Sequence, residues 1–219
     1  MSQEDIFYNT EGDNWFHRNS DKIKGIDDDD IVEYLKENNL FPKKILEIGC
    51  ANGYRLNMCL NKFKSECFGI EPSDSAVRDG NSSYPGIKII RGLSHDLSFF
   101  EDANFDLVIV SFVFHWIDRR YLLKTISEID RVLTDKGLLI VRDFDPPFSC
   151  KVKYHHLPND NVFTYKQKYS DIFCSSNLYT SIFERQFMHN KDSIGPQDRC
   201  RFVVLKKKLD LDYNLVNYQ

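Results

Sequence analysis

Along this chain, short apolar runs alternate with segments whose apolar residues recur every three or four positions. This alternation predicts strands that alternate with helices. Short apolar runs predict five strands, at 44–48, 66–70, 87–90, 105–112 and 138–141. Segments with apolar residues three or four positions apart predict helices, at 31–40, 54–63, 73–79 and 120–133. Such alternation favours a parallel sheet with helices on both faces.

The pattern changes after Pro147. Residues 151–174 are polar and aromatic and show no clear period, so they predict no regular element. Residues 179–188 and 200–209 predict two further strands, joined through 190–197 with its Gly195-Pro196 turn. We expect these strands to close the sheet as an antiparallel pair.

The length and composition of the chain indicate a globular protein of one domain. A chain of 219 residues suits one domain, and 42% apolar with 28% charged residues is typical of a globular protein. The net charge of -4 gives no reason to expect nucleic acid as a partner, and the acidic run 27–30 fits a solvated loop or a helix start. We expect no membrane partner and no signal peptide, six reduced cysteines and a cytoplasmic location.

The first strand leads into a turn that contains two glycines, Gly49 and Gly53, and a helix follows. A strand, a glycine turn and a helix together form a nucleotide-sized cradle, because glycine lets a ligand approach the bare backbone. In a parallel sheet the ligand lies at the carboxyl ends of the strands. Glu71 ends the second strand there, where its carboxylate can accept hydrogen bonds from ribose hydroxyls. Residues 111–116 follow the fourth strand at the same edge.

Four ordered segments between 43 and 145 resemble the motifs of class I S-adenosylmethionine-dependent methyltransferases. They read Glu-Ile-Gly-Cys-Ala-Asn-Gly, Gly-Ile-Glu-Pro-Ser, Phe-Asp-Leu-Val-Ile-Val and Arg-Val-Leu-Thr-Asp-Lys-Gly-Leu-Leu-Ile. The resemblance implies a Rossmann-like α/β fold, with a seven-stranded, mostly parallel sheet, an antiparallel last strand and helices on both faces. It also implies S-adenosylmethionine as the cofactor.

The resemblance assigns cofactor contacts residue by residue. The glycine turn and the strand ends supply most of them: Glu47, Gly49, Cys50, Gly53, Glu71, Pro72, Leu93, Ser94, His95 and Ser111. Arg18, from the N-terminal segment, is added to this set. Three positions depart from the family pattern: Ala51 stands where glycine is common, Lys136-Gly137 replaces Gly-Gly, and Leu93 stands where an acidic or polar residue often meets the adenine amino group. Ser94 or a backbone amide is the alternative for that contact.

The acceptor site has no motif of its own. His115 is the candidate base, since a hydroxyl or a protonated nitrogen must lose a proton, although a packing or orienting role is the alternative. Aromatic and histidine side chains from two segments are the candidate acceptor contacts: Tyr8, Trp15, Trp116, His155, His156 and Tyr165. Arg18, Lys151 and Lys153 could also bind anionic or hydroxyl groups. No metal is predicted, but a divalent ion near Asp143, His155 or His156 stays an alternative.

We therefore expect a single methyltransferase domain over 1–219. It divides into an N-terminal helical lid (1–42), a cofactor-binding core (43–145), an acceptor-site insert (146–178) and closing strands (179–219). The chain is expected to act as a monomer or a homodimer.

The predicted reaction is methylation of a small polar acceptor, O-directed, on a sugar or phosphate derivative. Residues 143–158 resemble bacterial methyltransferases of surface-polysaccharide assembly. The alternatives are methylation of RNA or protein, or a non-catalytic module that binds S-adenosylmethionine. An NAD-linked oxidoreductase is disfavoured because the turn lacks Gly-x-Gly-x-x-Gly spacing.

Overall fold

The computed structural model describes residues 2–189 and 195–210. Helices make up the region before the first strand: α1 (Gln3–Ile6), a π-helical turn (Phe7–Glu11), α2 (Gly12–Lys24) and α3 (Asp30–Glu37). Asp29 caps α3, because its carboxylate accepts from the amides of Ile31 and Val32. The acidic run therefore starts a helix, as one of its two interpretations predicted.

The central part of the chain alternates strands with helices. Its elements are β1 (Lys44–Ile48), α4 (Tyr54–Phe63), β2 (Glu66–Glu71), α5 (Asp74–Ser83), β3 (Lys88–Arg91), β4 (Phe105–Ser111), a 3₁₀ turn (Phe114–Trp116), α6 (Leu122–Val132) and β5 (Leu133–Phe144). The remaining elements are β6 (Cys150–Lys153), β7 (Phe163–Lys166), α7 (Tyr169–Cys174), β8 (Tyr179–Met188), a 3₁₀ turn (Pro196–Asp198) and β9 (Arg199–Lys207).

Seven strands form one sheet in the order β3-β2-β1-β4-β5-β9-β8. The pairs among β1 to β5 are parallel, and β9 runs antiparallel to both β5 and β8. This confirms the predicted Rossmann-like sheet with an antiparallel last strand. The inner strand β1 lies between β2 and β4, with Ile48 beside Ile70 and Val110.

Side chains alternate between the two faces of the sheet, and each face is buried by helices. On one face Leu46, Ile48, Val108 and Val110 pack with apolar residues of α6 and α7. On the other, Ile45 and its neighbours on β4 and β5 pack with α3 and α4. The continuous apolar runs that predicted the central strands arise from this two-sided burial.

Two parts of the fold differ from the prediction. The fifth strand was predicted at 138–141, but β5 begins directly after α6, at Leu133, so Lys136 and Gly137 lie within the strand. The pairing of β4 with β5 shifts register there, and Lys136 has a φ of 62°. The region 151–174 was read as irregular, but it holds the antiparallel pair β6–β7 and α7. The strand β6 is mostly exposed, so no apolar period marks it.

The final connection, predicted at 190–197, is only partly visible, because 190–194 lie outside the described residues. All six cysteines are free thiols. Among the helices that the structure describes, none is long and apolar enough to cross a membrane.

Candidate active site

A cleft opens at the carboxyl ends of β1, β2 and β4, where the sequence places the ligand. Its empty volume is about 780 Å³. The floor comes from the sheet edge, and the N-terminal helices cover it. The lining residues are Glu4, Phe7, Gly12, Trp15, Ile48, Gly49, Ile70, Glu71, Pro72, Gly92, Leu93, Ser94, Phe112, Val113, Trp116 and Ile117.

Gly49 follows β1 directly and lines the cleft. Its φ is +66°, and its amide donates to the Ile70 carbonyl over 2.8 Å. A Cβ at this position would lie 2.3 Å from Cγ2 of Val113, so no side chain fits. Gly53 also has a positive φ, of +75°, but its missing Cβ faces Ile87. Gly49 therefore lines the cleft, whereas Gly53 shapes the start of α4.

Glu71 joins two loops at the centre of the cleft. Its Oε2 accepts from the Ala51 amide over 2.9 Å, and its Oε1 accepts from the Ser73 amide over 3.0 Å. Each oxygen keeps capacity for another donor, as vicinal hydroxyls require. Burial raises the pKa of Glu71 to about 7, although both amides oppose this rise. The carboxylate is thus fixed in position with its remaining acceptor capacity unused.

Pro72, Leu93 and Ser94 line the end of the cleft beyond Glu71. The Ser94 hydroxyl is hydrogen-bonded to the Thr125 hydroxyl over 3.0 Å. His95 does not line the cleft, because its ring stacks on Tyr121 at 4.3 Å. This end is therefore bounded mainly by apolar atoms on the side of β3.

Glu47 and Cys50 lie under the glycine turn, away from the lining. Glu47 accepts a hydrogen bond from Arg55, which also pairs with Asp29 at 2.9 Å. All three side chains are buried. Burial raises the pKa of Glu47 to about 7, and the Arg55 charge counteracts this rise. The Cys50 thiol is buried against Gly69, and burial raises its pKa. Glu47 and Cys50 therefore pack beneath the glycine turn, on the side away from the cleft.

The end of β4 turns sharply at Phe112, whose φ is 57°. The turn brings Phe112, Val113 and Trp116 into the lining, while Ser111, at the strand end, is outside it. His115 is buried behind this wall, and its Nδ1 lies 2.7 Å from Oδ1 of Asp143. Asp143 also accepts from the Phe144 amide over 2.7 Å. A carboxylate on Nδ1 leaves Nε2 as the ring nitrogen that can take a proton.

The predicted acceptor residues separate into two groups. Trp15 and Trp116 line the cleft. The other four lie outside the lining: Tyr8 under Arg91, Tyr165 under Arg119, and His155 and His156 exposed beside Tyr154.

Arg18 lies outside the lining as well. It pairs with Glu11, and it donates to the Tyr154 hydroxyl over 2.9 Å. The Tyr154 hydroxyl donates to Glu11 over 2.7 Å. Arg18 thus ties α2 to the segment after β6.

Sequence reasoning missed the cleft residues that are ordinary in type. The N-terminal helices contribute Glu4, Phe7 and Gly12, and no motif marks them. Gly12 is recognisable only from the structure, since a Cβ there would lie 2.6 Å from the Phe7 carbonyl oxygen. Across the part of the chain that the structure describes, no group of three His, Cys, Asp or Glu residues could hold a metal ion.

Comparison with known proteins agrees with this geometry. Residues 46–141 match the family model described as a methyltransferase domain. The chain is 30% identical over 101 residues to a probable pectin methylesterase of Arabidopsis thaliana, covering 45% of this chain and 39% of the relative. It is 26% identical over 111 residues to the malonyl-[acyl-carrier protein] O-methyltransferase of Halalkalibacterium halodurans, covering 48% and 40%. The matches thus span about two fifths of these relatives.

Among solved structures, the fold is similar to the N-methyltransferase NodS of Bradyrhizobium japonicum WM9 in complex with S-adenosyl-L-homocysteine. The TM-score is 0.59 at 15% identity, over 81% of this chain and 84% of that chain. A sheet in this strand order, with a glycine turn and an acidic residue at its carboxyl edge, is a Rossmann-like fold. Residues 46–141 match a methyltransferase domain and the fold is that of a solved methyltransferase, which agrees with the predicted family and cofactor.

Proposed function

We propose that this protein transfers the methyl group of S-adenosylmethionine to a hydroxyl oxygen of a small polar acceptor, a sugar or phosphate derivative. The observation that carries the proposal is Glu71, which lines the cleft at the carboxyl edge of the sheet and is held there by the amides of Ala51 and Ser73. Displacement at a sulfonium needs alignment and exclusion of water. A hydroxyl acceptor also needs a base, which a carboxylate acceptor does not.

In this proposal the central part of the cleft holds the cofactor. Glu71 accepts hydrogen bonds from the ribose hydroxyls, Pro72 and Leu93 flank the adenine, and Gly49 lies against the methionine part. Glu47 and Cys50 hold the glycine turn in shape. Bound cofactor supplies the electrophilic methyl group, while the chain's own residues position it and exclude water.

The acceptor lies in this proposal between the N-terminal helices and the end of β4. Trp15, Trp116 and Phe7 give this part aromatic walls. Such walls pack against the apolar face of a sugar ring, while few polar groups fix its orientation. For His115 to act as the base, the acceptor hydroxyl must reach Nε2 through the wall formed by Phe112 and Trp116, while Asp143 holds the ring in place.

The name of one relative supports an oxygen acceptor, since it is called a malonyl-[acyl-carrier protein] O-methyltransferase. The other is called a probable pectin methylesterase, and its name supports a polysaccharide substrate but not a particular acceptor atom. We extend the proposal to surface-polysaccharide biosynthesis in the cytoplasm, on the resemblance of 143–158 to bacterial methyltransferases of that kind. We also propose that the chain divides into the lid, core, insert and closing strands predicted from the sequence. The protein acts as a monomer or a homodimer in this proposal.

Calorimetry with S-adenosylhomocysteine, followed by transfer of labelled methyl from S-adenosylmethionine, tests the proposal. The acceptor panel contains monosaccharides, sugar phosphates, a uronic acid, a malonyl thioester, RNA and protein. We expect binding of the cofactor product and a methyl ether that resists mild base. A base-labile methyl ester would show a carboxylate acceptor instead, and labelled RNA or protein would favour those alternatives. Binding without transfer to any acceptor would favour a non-catalytic module. Absence of binding by folded protein would refute the cofactor role.

A further inference from the structure

The end of the cleft beyond Glu71 lacks an obvious acceptor for the adenine amino group on the side of β3. An exocyclic amino group donates hydrogen bonds and therefore needs an acceptor. Leu93 is apolar, and the Ser94 hydroxyl is already bonded to Thr125. His95 stacks on Tyr121 outside the lining. The residues of this loop that line the cleft, Gly92, Leu93 and Ser94, thus offer no carboxylate.

A carboxylate reaches this end from the opposite direction. Glu4, on α1, lines the cleft together with Leu93 and Ser94 and is only 6% exposed. Within the described part of the chain its carboxylate accepts no hydrogen bond, and its Oε1 lies 3.4 Å from Nδ1 of His95, whose pKa is lowered by burial. Burying a carboxylate without a donor is costly. Burial, together with the charge of Asp118, raises the pKa of Glu4 to about 7. An unpartnered acceptor of this kind fits a ligand that brings the donor.

The neighbouring residue fixes Glu4 in place. The Gln3 amide nitrogen donates to the carbonyls of Trp116 and Phe163 over 2.6 and 2.9 Å. Its amide oxygen accepts from the Phe163 amide over 2.9 Å. A capping box between Ser2 and Asp5 stabilises the N-terminal turn of α1, which contains Glu4. The backbone of α1 is therefore held in place where the Glu4 side chain lines the cleft.

We propose that Glu4 accepts a hydrogen bond from the adenine amino group of the cofactor, in place of the polar residue that Leu93 replaces. This inference rests on the proposed function, because it concerns the same bound cofactor. It makes the N-terminal segment part of the nucleoside site. The same segment also supplies the walls of the acceptor region, through Phe7 and Trp15.

Calorimetry with two ligands tests this contact: S-adenosylhomocysteine and its purine analogue, in which hydrogen replaces the amino group. We expect wild type to prefer S-adenosylhomocysteine by about 10-fold or more, since a hydrogen bond to a charged group contributes this much. In Glu4→Met the preference falls to within about threefold, because the acceptor is gone. In Glu4→Gln part of it remains, since the amide oxygen still accepts.

Glu101→Gln is the matched control, because Glu101 is exposed and lies before β4, at the opposite edge of the sheet. It removes the same charge, and we expect it to leave the preference unchanged. If Glu4→Met still binds S-adenosylhomocysteine with the wild-type preference, or if wild type shows none, the Glu4 contact is refuted while the cofactor role stands. If wild type binds neither ligand, both proposals fail.

Discussion

Asp143 holds the imidazole of His115 through a contact of 2.7 Å between Oδ1 and Nδ1. The two residues come from neighbouring parallel strands, His115 just after β4 and Asp143 near the end of β5. Both are buried, and the rings of Trp116 and Phe144 contact the imidazole on either side. The ring is therefore held in one orientation, with Nδ1 toward the carboxylate.

If His115 is the base, His115→Gln lowers kcat for a hydroxyl acceptor by about 10²- to 10⁴-fold. Asp143→Asn lowers it as well, because the amide no longer selects the tautomer with a free Nε2. Affinity for S-adenosylhomocysteine is expected to change little in both variants. The measurement is labelled methyl transfer together with calorimetry, and His17→Gln, at an exposed histidine, is the control. Wild-type kcat in His115→Gln would assign this pair to packing instead.

Replacement of Glu71 is expected to weaken cofactor binding. In wild type the backbone amides of Ala51 and Ser73 each donate to one oxygen of the Glu71 carboxylate. Glu71→Gln removes the charge and places the side-chain NH₂ group opposite one of these two N–H donors. We expect affinity for S-adenosylhomocysteine to fall about 10- to 100-fold. Calorimetry measures the loss, and a thermal melt shows whether the variant folds. Unchanged affinity would remove Glu71 from the site.

Cofactor affinity is also expected to depend on pH. The unliganded pKa of Glu71 is about 7, and ribose hydroxyls that donate to the ionised form lower it. Binding then releases protons, so affinity rises as pH rises through about 7 and falls below it. Titrations between about pH 6 and pH 8 should show this slope in wild type and a smaller one in Glu71→Gln, where Glu4 still titrates in the cleft. A flat profile in wild type would contradict the prediction.

Gly49 is expected to tolerate no side chain. Gly49→Ala places a Cβ against Val113 and puts alanine at a φ of +66°. The left-handed conformation costs about 1–2 kcal/mol and the overlap about 1–3 kcal/mol of stability. In Gly49→Ala/Val113→Ala the overlap is relieved but the backbone strain stays. Urea unfolding of the two single variants and the double variant gives the coupling between them. Additive losses would show that Val113 is not the obstacle.

The sequence predicts the parts of this protein that have a regular apolar period or a family motif. The central strands carry continuous apolar runs because helices bury both faces, and Glu71 follows from its place at the end of β2. Gln3 and Glu4 have no such signal. Both are polar residues in a helix of four residues. Gln3 is hydrogen-bonded to the distant Trp116 and Phe163, and Glu4 lies 3.4 Å from His95. The β6–β7 pair was missed because Lys151, Val152 and Lys153 are all exposed.

Loss of the Gln3 contacts is expected to loosen the N-terminal segment. Gln3→Ala leaves the Trp116 carbonyl and both backbone groups of Phe163 without their side-chain partner. Unsatisfied buried groups of this kind cost about 1–3 kcal/mol each. We expect faster hydrogen exchange across α1 and weaker binding of S-adenosylhomocysteine, with exchange in β4 unchanged. Equal acceleration in β4 would indicate a global loss of stability.

Arg55 is expected to be essential because it neutralises two buried carboxylates on different elements. It pairs with Glu47 on β1 and with Asp29 at the start of α3, and all three side chains are at most 6% exposed. Burial alone would raise the pKa of Asp29, but the charge and hydrogen bonds of Arg55 hold it below its usual value. In Arg55→Met both carboxylates lose this partner, and we expect a loss of about 3–5 kcal/mol at neutral pH.

The loss in Arg55→Met should depend on pH with a defined sign. Without the guanidinium the folded pKa of each carboxyl group lies above its unfolded value, so the folded state binds more protons. Stability is then greatest below the unfolded pKa values, near pH 4, and falls as pH rises toward 7. Adding Glu47→Gln and Asp29→Asn should flatten this dependence, since Asn still caps α3. Urea unfolding at several pH values measures it. A variant that is equally unstable at pH 4 and pH 7 would show that Arg55 acts through packing and not through its charge.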